Sequence, residues 1–397
     1  MTSSVYIAKN VYGGDGIGRL GDGRVVFVPG AWAGEQVKAE ITEEKRHWVK
    51  ARLVAVEEPS PERVDGGARV PGMVYANLSF NGEMAAKEAQ LKEFFERARI
   101  RIPRFETAPQ TDPLHYRNKV VYHFARVSGR LLLGYREESS HEIFDIREDP
   151  LARPEINAKI PEIRQSIETL LATGAPAVRK SVEREAKATV RWTARSGVQW
   201  WIGKPHHPVV LREVVCGKVF EVPADGFFQV NPAMGDALAK AVVAAYESGR
   251  DSAPELVDLY CGVGVFGLCC RPPRLTGVES GRQAVEFANK NAALQGFAPA
   301  RFYSEEVGRN IRRLPLNPRA CVILDPPRGG LEPNVPGALC ESKARRIVYV
   351  SCDPATLMRD LKNLVKAFDV ESVAWFNMFP RTARFETMVV LSRRGAG

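Results

Sequence analysis

Residues 257–268 read VDLYCGVGVFGL. A short apolar run is followed by two glycines, Gly262 and Gly264, and then by a second apolar stretch. The pattern predicts a buried strand, a glycine turn and a helix start. Small residues at such a turn let a ligand approach the backbone at the carboxyl ends of the strands. Outward from it, RLTGVE (274–279), CVILDPP (321–327), RIVYVSC (346–352) and TMVVLSR (387–393) read as further strands. SGRQAVEFANKNAALQG (280–296) and DPATLMRDLKNLVKAF (353–368) have the spacing of amphipathic helices, the first ending at Gly296. Strands alternating with helices of this length predict a parallel, doubly wound α/β sheet over residues 236–397.

The amino-terminal part has a different grammar. Residues 1–57 hold the β-branched runs VVFVPG, EQVKAEIT and WVKARLVAVEE, separated by glycine-rich turns such as YGGDGIGRLGDGR. Short strands with glycine corners predict a small barrel of the oligonucleotide-binding kind. Its last strand mixes basic and aromatic residues, among them Arg46, Trp48 and Lys50, a combination that can meet phosphates and stack on a base. EEPSPERVDGGARVPG (57–72) reads as a linker. Residues 70–235 read as a central α+β domain. It opens with a helix, EMAAKEAQLKEFFERARI, carries a hairpin around Ser128-Gly129, and has one helix near 155–173.

The 397 residues are 45% hydrophobic and 26% charged, enough for two or three packed domains. Fifty-six Lys+Arg against 47 Asp+Glu give a net charge of +9. That excess fits a nucleic-acid partner and equally a mildly basic solvated surface. Seven cysteines, with no Cys-x-x-Cys pair, argue against a disulfide framework and a four-thiolate metal site. No signal peptide or membrane-spanning run is evident, so a cytoplasmic protein with no membrane partner and no metal is expected.

Glu279 ends the second strand, where an acid can bind the two ribose hydroxyls of a nucleoside. Together with the glycine turn it supports a nucleoside cofactor without saying which one, and NAD stays open. Three segments fall at one sheet edge: LDPPRGGL with Asp325, YVSCDPATL with Cys352, and RFETMVV with Glu386. Cys352 precedes a Pro-initiated helix, where the dipole is expected to stabilise a thiolate. Carbon 5 of uracil is a poor nucleophile until a thiolate adds at carbon 6, and its proton must later leave. That chemistry needs a thiol, a general base and polar groups on the pyrimidine edge. Cys352, Glu386 and Asp325 form such a set. Separately, they read as a core thiol, a surface acid and a cap.

These segments resemble the RNA (uracil-5-)-methyltransferase family, which acts on ribosomal RNA and the tRNA T-loop. The resemblance rests on FFQVNPAM (227–234), DLYCGVGVFGL (258–268), GVE (277–279), LDPPRGGL (324–331), VSCDPATLMRDL (350–361) and MFPRTARFETMVVL (378–391). PLHYRNKVVY, LLLGYREESSHEIFDI and VPGMVYANLSFNGEMAAKEAQL also fit, and residues 1–57 resemble the TRAM RNA-binding module. The resemblance implies a Rossmann-like class I methyltransferase domain and S-adenosylmethionine as cofactor. It implies Cys352 as nucleophile and Glu386 as base, with Asp325 also facing the uracil. Gln229, Tyr260, Gly262, Gly264, Glu279 and Asp325 would hold the cofactor. Arg117, Lys119, Phe228, Arg46 and Lys50 would contact RNA.

The TRAM-like module favours 23S rRNA over tRNA, and a monomer is expected. Many relatives carry four cysteines for an iron–sulfur cluster, and here Val64, Val70, Met73 and Asp149 stand at those positions, so no cluster is expected. Val265 and Glu306 replace residues that are often Asn, or Asn or Asp, which bears on the adenine contact beside Glu305. Cytosine-5 methylases place a Pro-Cys after the fourth-strand Asp, whereas DPPR stands here. Amino-group methylases have an aromatic where Arg328 stands. A non-catalytic RNA-binding protein is the remaining rival.

Overall fold

The computed structural model describes residues 2–137, 140, 142–205 and 209–395. Strands Thr2–Asn10, Gly16–Arg19, Val25–Val28, Gln36–Glu44 and Trp48–Glu58 close into a barrel around Val5, Ile7, Val26, Val37 and Val49. The following segment is docked rather than loose. Arg63 donates to Glu35 at 2.5 Å and 2.8 Å and to the carbonyl of Gly30 at 2.7 Å. Trp32 of the barrel stacks on Tyr75 with ring centroids 5.6 Å apart.

The second sheet has the order Gly197–Ile202, Lys187–Thr193, Lys119–Val127, Arg130–Arg136, Ile143–Asp145. Its hairpin turns at Ser128-Gly129, both with positive φ (48° and 81°), as a two-residue turn between twisted strands requires. Helices Pro154–Asn157 and Ile160–Thr173 cover it, and a further helix, Pro176–Glu185, was not foreseen.

The third sheet carries the glycine turn. Its order is Ala300–Ser304, Arg274–Glu279, Glu255–Leu259, Ala320–Leu324, Arg346–Ser351, Glu386–Arg393, Phe368–Phe376, Phe105–Thr107. The first five strands are parallel, as expected. The strand Glu386–Arg393 departs from the all-parallel reading: it runs antiparallel between Arg346–Ser351 and Phe368–Phe376. Alternate residues serve two cores. Leu256, Ile323, Val348 and Val350 face helices Pro232–Glu247 and Arg282–Leu294. Val257, Leu324, Ile347 and Tyr349 face helices Val335–Glu341 and Pro354–Leu364. A sheet covered on both faces is apolar throughout its strands, which is why these runs read as continuous rather than alternating.

Helix Phe80–Ala98, expected in the central domain, lies against this sheet: Leu91 and Phe95 share the second core with Trp375 and Phe385. The hairpin Val210–Val215/Lys218–Pro223 joins the first core through Leu211, Phe220 and Val222. An amphipathic pattern states that a helix has a covered face, not which sheet covers it.

One buried polar cluster fixes the helix to the last turn of the sheet. Lys87 and Glu83 are fully buried and paired at 2.8 Å. Lys87 also donates to Asn377 Oδ1 at 2.7 Å, and Glu83 accepts from Asn377 Nδ2 at 2.9 Å and from the Arg381 backbone N–H at 3.0 Å. Removing one partner leaves the other charge buried and unpaired. Glu83→Ala should therefore cost about 3–5 kcal/mol of unfolding free energy in urea titrations, and Lys87→Met in the same background should recover part of it.

Candidate active site

The order of the third sheet reverses between Glu255–Leu259 and Ala320–Leu324, the kind of switch point beyond whose carboxyl ends open α/β sheets bind ligands. Strand Glu255–Leu259 runs into a tight turn. Tyr260 has φ 62°, Gly262 φ 53° and Gly264 φ 86°. A Cβ at Gly262 would meet nothing within 4 Å, whereas one at Gly264 would meet the Phe302 ring at 3.1 Å. Gly262 is thus the open side of the turn and Gly264 the packed side.

Glu279 is oriented by backbone. Its carboxylate accepts from Gly262 N at 3.2 Å and from Gly281 N at 2.7 Å, and it stays partly exposed. The Tyr260 hydroxyl donates to Glu332, so its ring rather than its hydroxyl is available to a ligand. Gln229 is half-buried against Gly235. Glu305 continues from Glu279 through a backbone bond of 2.9 Å, and Glu306 is paired with Arg309 at 2.8 Å. An open glycine turn with a fixed, accessible carboxylate fits the ribose of a nucleoside cofactor.

The three chemical groups meet at the same edge. Ser351 pairs with Thr387 in antiparallel register, so Cys352 lies one step beyond, beside Glu386. Glu386 is 4% exposed, and its Oε2 has no hydrogen-bond partner. Burial holds its carboxyl well above the usual range, with the charge of Asp325 adding to the effect and Arg328 opposing it. Asp325, just past Leu324, is pushed up to about 7 by desolvation and then by Glu279. The half-buried Cys352 thiol is pushed up to about 11 by desolvation first, then by Glu386 and Asp325, with Arg328 opposing.

This corrects the expectation of a dipole-stabilised thiolate. Asp353, not Cys352, caps helix Pro354–Leu364: its Oδ1 accepts from Ala355 N at 3.0 Å and Thr356 N at 3.1 Å. The free N–H groups are consumed one residue beyond the thiol.

A cleft of about 690 Å³ lies alongside. The barrel supplies Gly13, Asp15 and Lys50, the central region Arg117 and Lys119, and the catalytic sheet Arg328, Thr382 and Arg384. Lys119 is pushed down to about 8 by desolvation, then by Arg191. Three of the expected RNA contacts, Lys50, Arg117 and Lys119, therefore converge. Arg46 does not: it is exposed in the turn before strand Trp48–Glu58, outside the cleft lining. Phe228 is half-buried against the first core with the Arg191 guanidinium 5.9 Å from its ring, and its neighbour Phe227 is the exposed aromatic, at 77%. Arg384 and Tyr12 at this site were missed. Nothing in a lone arginine or a turn tyrosine marks them.

The four expected cluster positions do not fit an iron–sulfur group. Val64 is 40% exposed, Val70 and Met73 are buried apolar residues, and Asp149 is a buried acceptor for the Tyr135 hydroxyl at 2.6 Å, the Tyr122 hydroxyl at 3.2 Å and Leu151 N at 2.9 Å. Among the described residues no group of three or more His, Cys, Asp or Glu could hold a metal ion. No helix among them is long and apolar enough to cross a membrane.

Residues 210–394 match the tRNA (Uracil-5-)-methyltransferase family model, and residues 5–54 match the TRAM domain. The 23S rRNA (uracil(1939)-C(5))-methyltransferase of Methylococcus capsulatus is 31% identical over 448 residues, covering 98% of this chain and 97% of the relative. The chain belongs to the RNA (uracil-5-)-methyltransferase family. An RNA methyltransferase of Thermotoga maritima, 28% identical, covers 98% of this chain and 99% of its own. Within the family, the crystal structure of the Pyrococcus abyssi tRNA (uracil-54, C5)-methyltransferase in complex with S-adenosyl-L-homocysteine superposes with a TM-score of 0.74. It is 20% identical, covers 98% of this chain and 100% of that one, and shows the shared fold.

If neighbouring charge sets the thiol, removing the Asp325 charge should free it. Asp325→Asn is expected to speed iodoacetamide alkylation of Cys352 at pH 8 by about three-fold or more, read by peptide mass mapping.

Proposed function

We propose that this protein methylates carbon 5 of a uridine in 23S rRNA, with S-adenosylmethionine as methyl donor, Cys352 as nucleophile and Glu386 as the base. The observation that carries the reading is the convergence of Cys352, Glu386 and Asp325 on one sheet edge, beside a cleft lined by cations from three parts of the chain.

S-adenosylmethionine supplies a sulfonium-bound, electrophilic methyl group. Glu279, already aligned by two backbone N–H groups, would take the ribose hydroxyls. Gln229, the Tyr260 ring, the turn through Gly262 and Gly264, and Asp325 would complete its seat.

The protein's own residues account for the rest. Arg328 opposes the upward shift of both the thiol and Glu386, and so favours their charged forms. The Cys352 thiolate adds to carbon 6 of the ring and makes carbon 5 nucleophilic. Asp325, poised near neutrality, can accept from the ring N–H or donate to a ring carbonyl. Once carbon 5 is methylated, Glu386 takes its remaining proton, and the Cys352–C6 bond breaks to release the product. A buried carboxyl with an unpartnered oxygen suits this step, since no competing hydrogen bond must first be broken. Lys50, Arg117 and Lys119 would grip the RNA backbone, and the exposed Phe227, in place of Phe228, offers a stacking surface.

The 23S target is favoured by the Methylococcus relative and by the TRAM domain. A second reading, methylation of the tRNA T-loop, draws on the fold shared with the Pyrococcus enzyme. Mass mapping of 5-methyluridine in rRNA and tRNA from a deletion strain decides between them.

The mechanism is tested with RNA containing 5-fluorouridine, in which fluorine blocks proton loss. Wild type should form a covalent adduct stable on a denaturing gel, and Cys352→Ala none; an adduct with the alanine variant would rule out Cys352. With ordinary RNA, Glu386→Gln should accumulate the methylated adduct. Normal turnover by that variant would remove Glu386 as the base, and a protein that only binds RNA would give no adduct at all.

A further inference from the structure

Tyr12 belongs to the barrel yet lies in the catalytic centre. It sits in the turn Val11–Asp15 between strands Thr2–Asn10 and Gly16–Arg19, closed by Val11 N to Asp15 O at 3.0 Å. Gly13 and Gly14 have φ 111° and 97°, and a Cβ at Gly14 would meet Val74 at 2.9 Å, so the turn is pressed onto the segment that follows the barrel. The Tyr12 ring packs edge-on against Phe94 of helix Phe80–Ala98 and Phe385, with centroids 5.7 Å and 5.6 Å away.

Its hydroxyl accepts from Arg384 Nη1 at 3.0 Å, and the same nitrogen donates to Asp353 Oδ2 at 3.3 Å. The guanidinium also lies 5.7 Å from the Tyr12 ring centre. Arg384 is two residues before Glu386, and Asp353 is one residue after Cys352. One barrel side chain thus holds the cation that ties together the two turns carrying these residues.

We propose that the barrel is a working part of the catalytic centre, and that Tyr12 is a positioning residue that fixes Arg384 across the Cys352 and Glu386 turns. This rests on the reading of Cys352 and Glu386 as the reacting groups. The charged and titratable neighbours of the thiol are Glu386, Asp325 and Asp353 on the acidic side, Arg328 and Arg384 on the basic side, and the Tyr12 phenol. Burial pushes that phenol up, which keeps it a neutral acceptor for Arg384. Arg384 is electrostatically coupled to the thiol, so its placement bears on how readily Cys352 ionises. A barrel that merely grips RNA would need no such contact.

Tyr12→Phe keeps both ring contacts and removes only the hydroxyl. Expected are an unchanged melting temperature, an RNA KM within about two-fold, and a kcat on unmodified ribosomal RNA lower by about five-fold. Without RNA or cofactor, iodoacetamide alkylation of Cys352 at pH 8 should slow about three-fold, because a loosened cation favours the thiolate less. Arg384→Gln should slow it further, and Tyr12→Phe should add nothing in that background. Wild-type alkylation and kcat in Tyr12→Phe, a rise in KM alone, or full additivity in the double variant would each overturn the proposal. The alkylation arm needs no methyl transfer, so failure of the uridine reading, seen as turnover by Cys352→Ala, is separable from failure of this one.

Discussion

A parallel sheet buried on both faces leaves its polar chemistry only its ends. Every residue of strand Ala320–Leu324 is buried, and Leu256, Val257, Ile347 and Val348 fill the cores on either side. The chain therefore emerges into water, or into a ligand, at the carboxyl edge. There it sets Tyr260, Glu279, Asp325 and Cys352 in a row. The one antiparallel strand, Glu386–Arg393, begins at the same edge because it runs backwards. Had it run parallel, Glu386 would stand at the opposite end of the sheet from the thiol.

The same burial sets the chemistry. Asp325, Glu386 and Cys352 each lose solvation as they approach one another, so each favours its uncharged form. Arg328 and Arg384 are the counterweights on the protein's side. Each of the three is therefore harder to ionise than it would be in water. The site's reactivity depends on where positive charge is placed next to it, a point the helix dipole does not settle, since Asp353 has taken the free N–H groups.

Much of this was legible in the sequence. The glycine turn, the acid after the second strand and the Cys-Asp-Pro turn are local patterns whose geometry follows from a few neighbouring residues. The barrel and the hairpin at Ser128-Gly129 were legible for the same reason. What was not legible depends on partners far along the chain. Leu91 and Phe95 show an apolar face, but only the assembled sheet decides that Trp375 covers it. Of Phe227 and Phe228, adjacent and alike, packing alone selects which one stays outside. Tyr12 and Arg384 lie 372 residues apart, and nothing local signals that they meet.

The Glu83–Asn377 bond spans 294 residues and closes the seat of the first long helix against nearly the last strand of the sheet. During synthesis, Leu91 and Phe95 must wait for Trp375 and Phe385, at roughly 5–20 residues per second, with their apolar faces uncovered. Such long-range closure slows folding and exposes the intermediate to aggregation. The catalytic sheet and its covering helix should therefore form late and together, with Glu386 arriving in the step that shields the helix. A nascent chain cut short before residue 375 would carry Cys352 without Glu386, and Leu91 and Phe95 without the cover of Trp375 and Phe385.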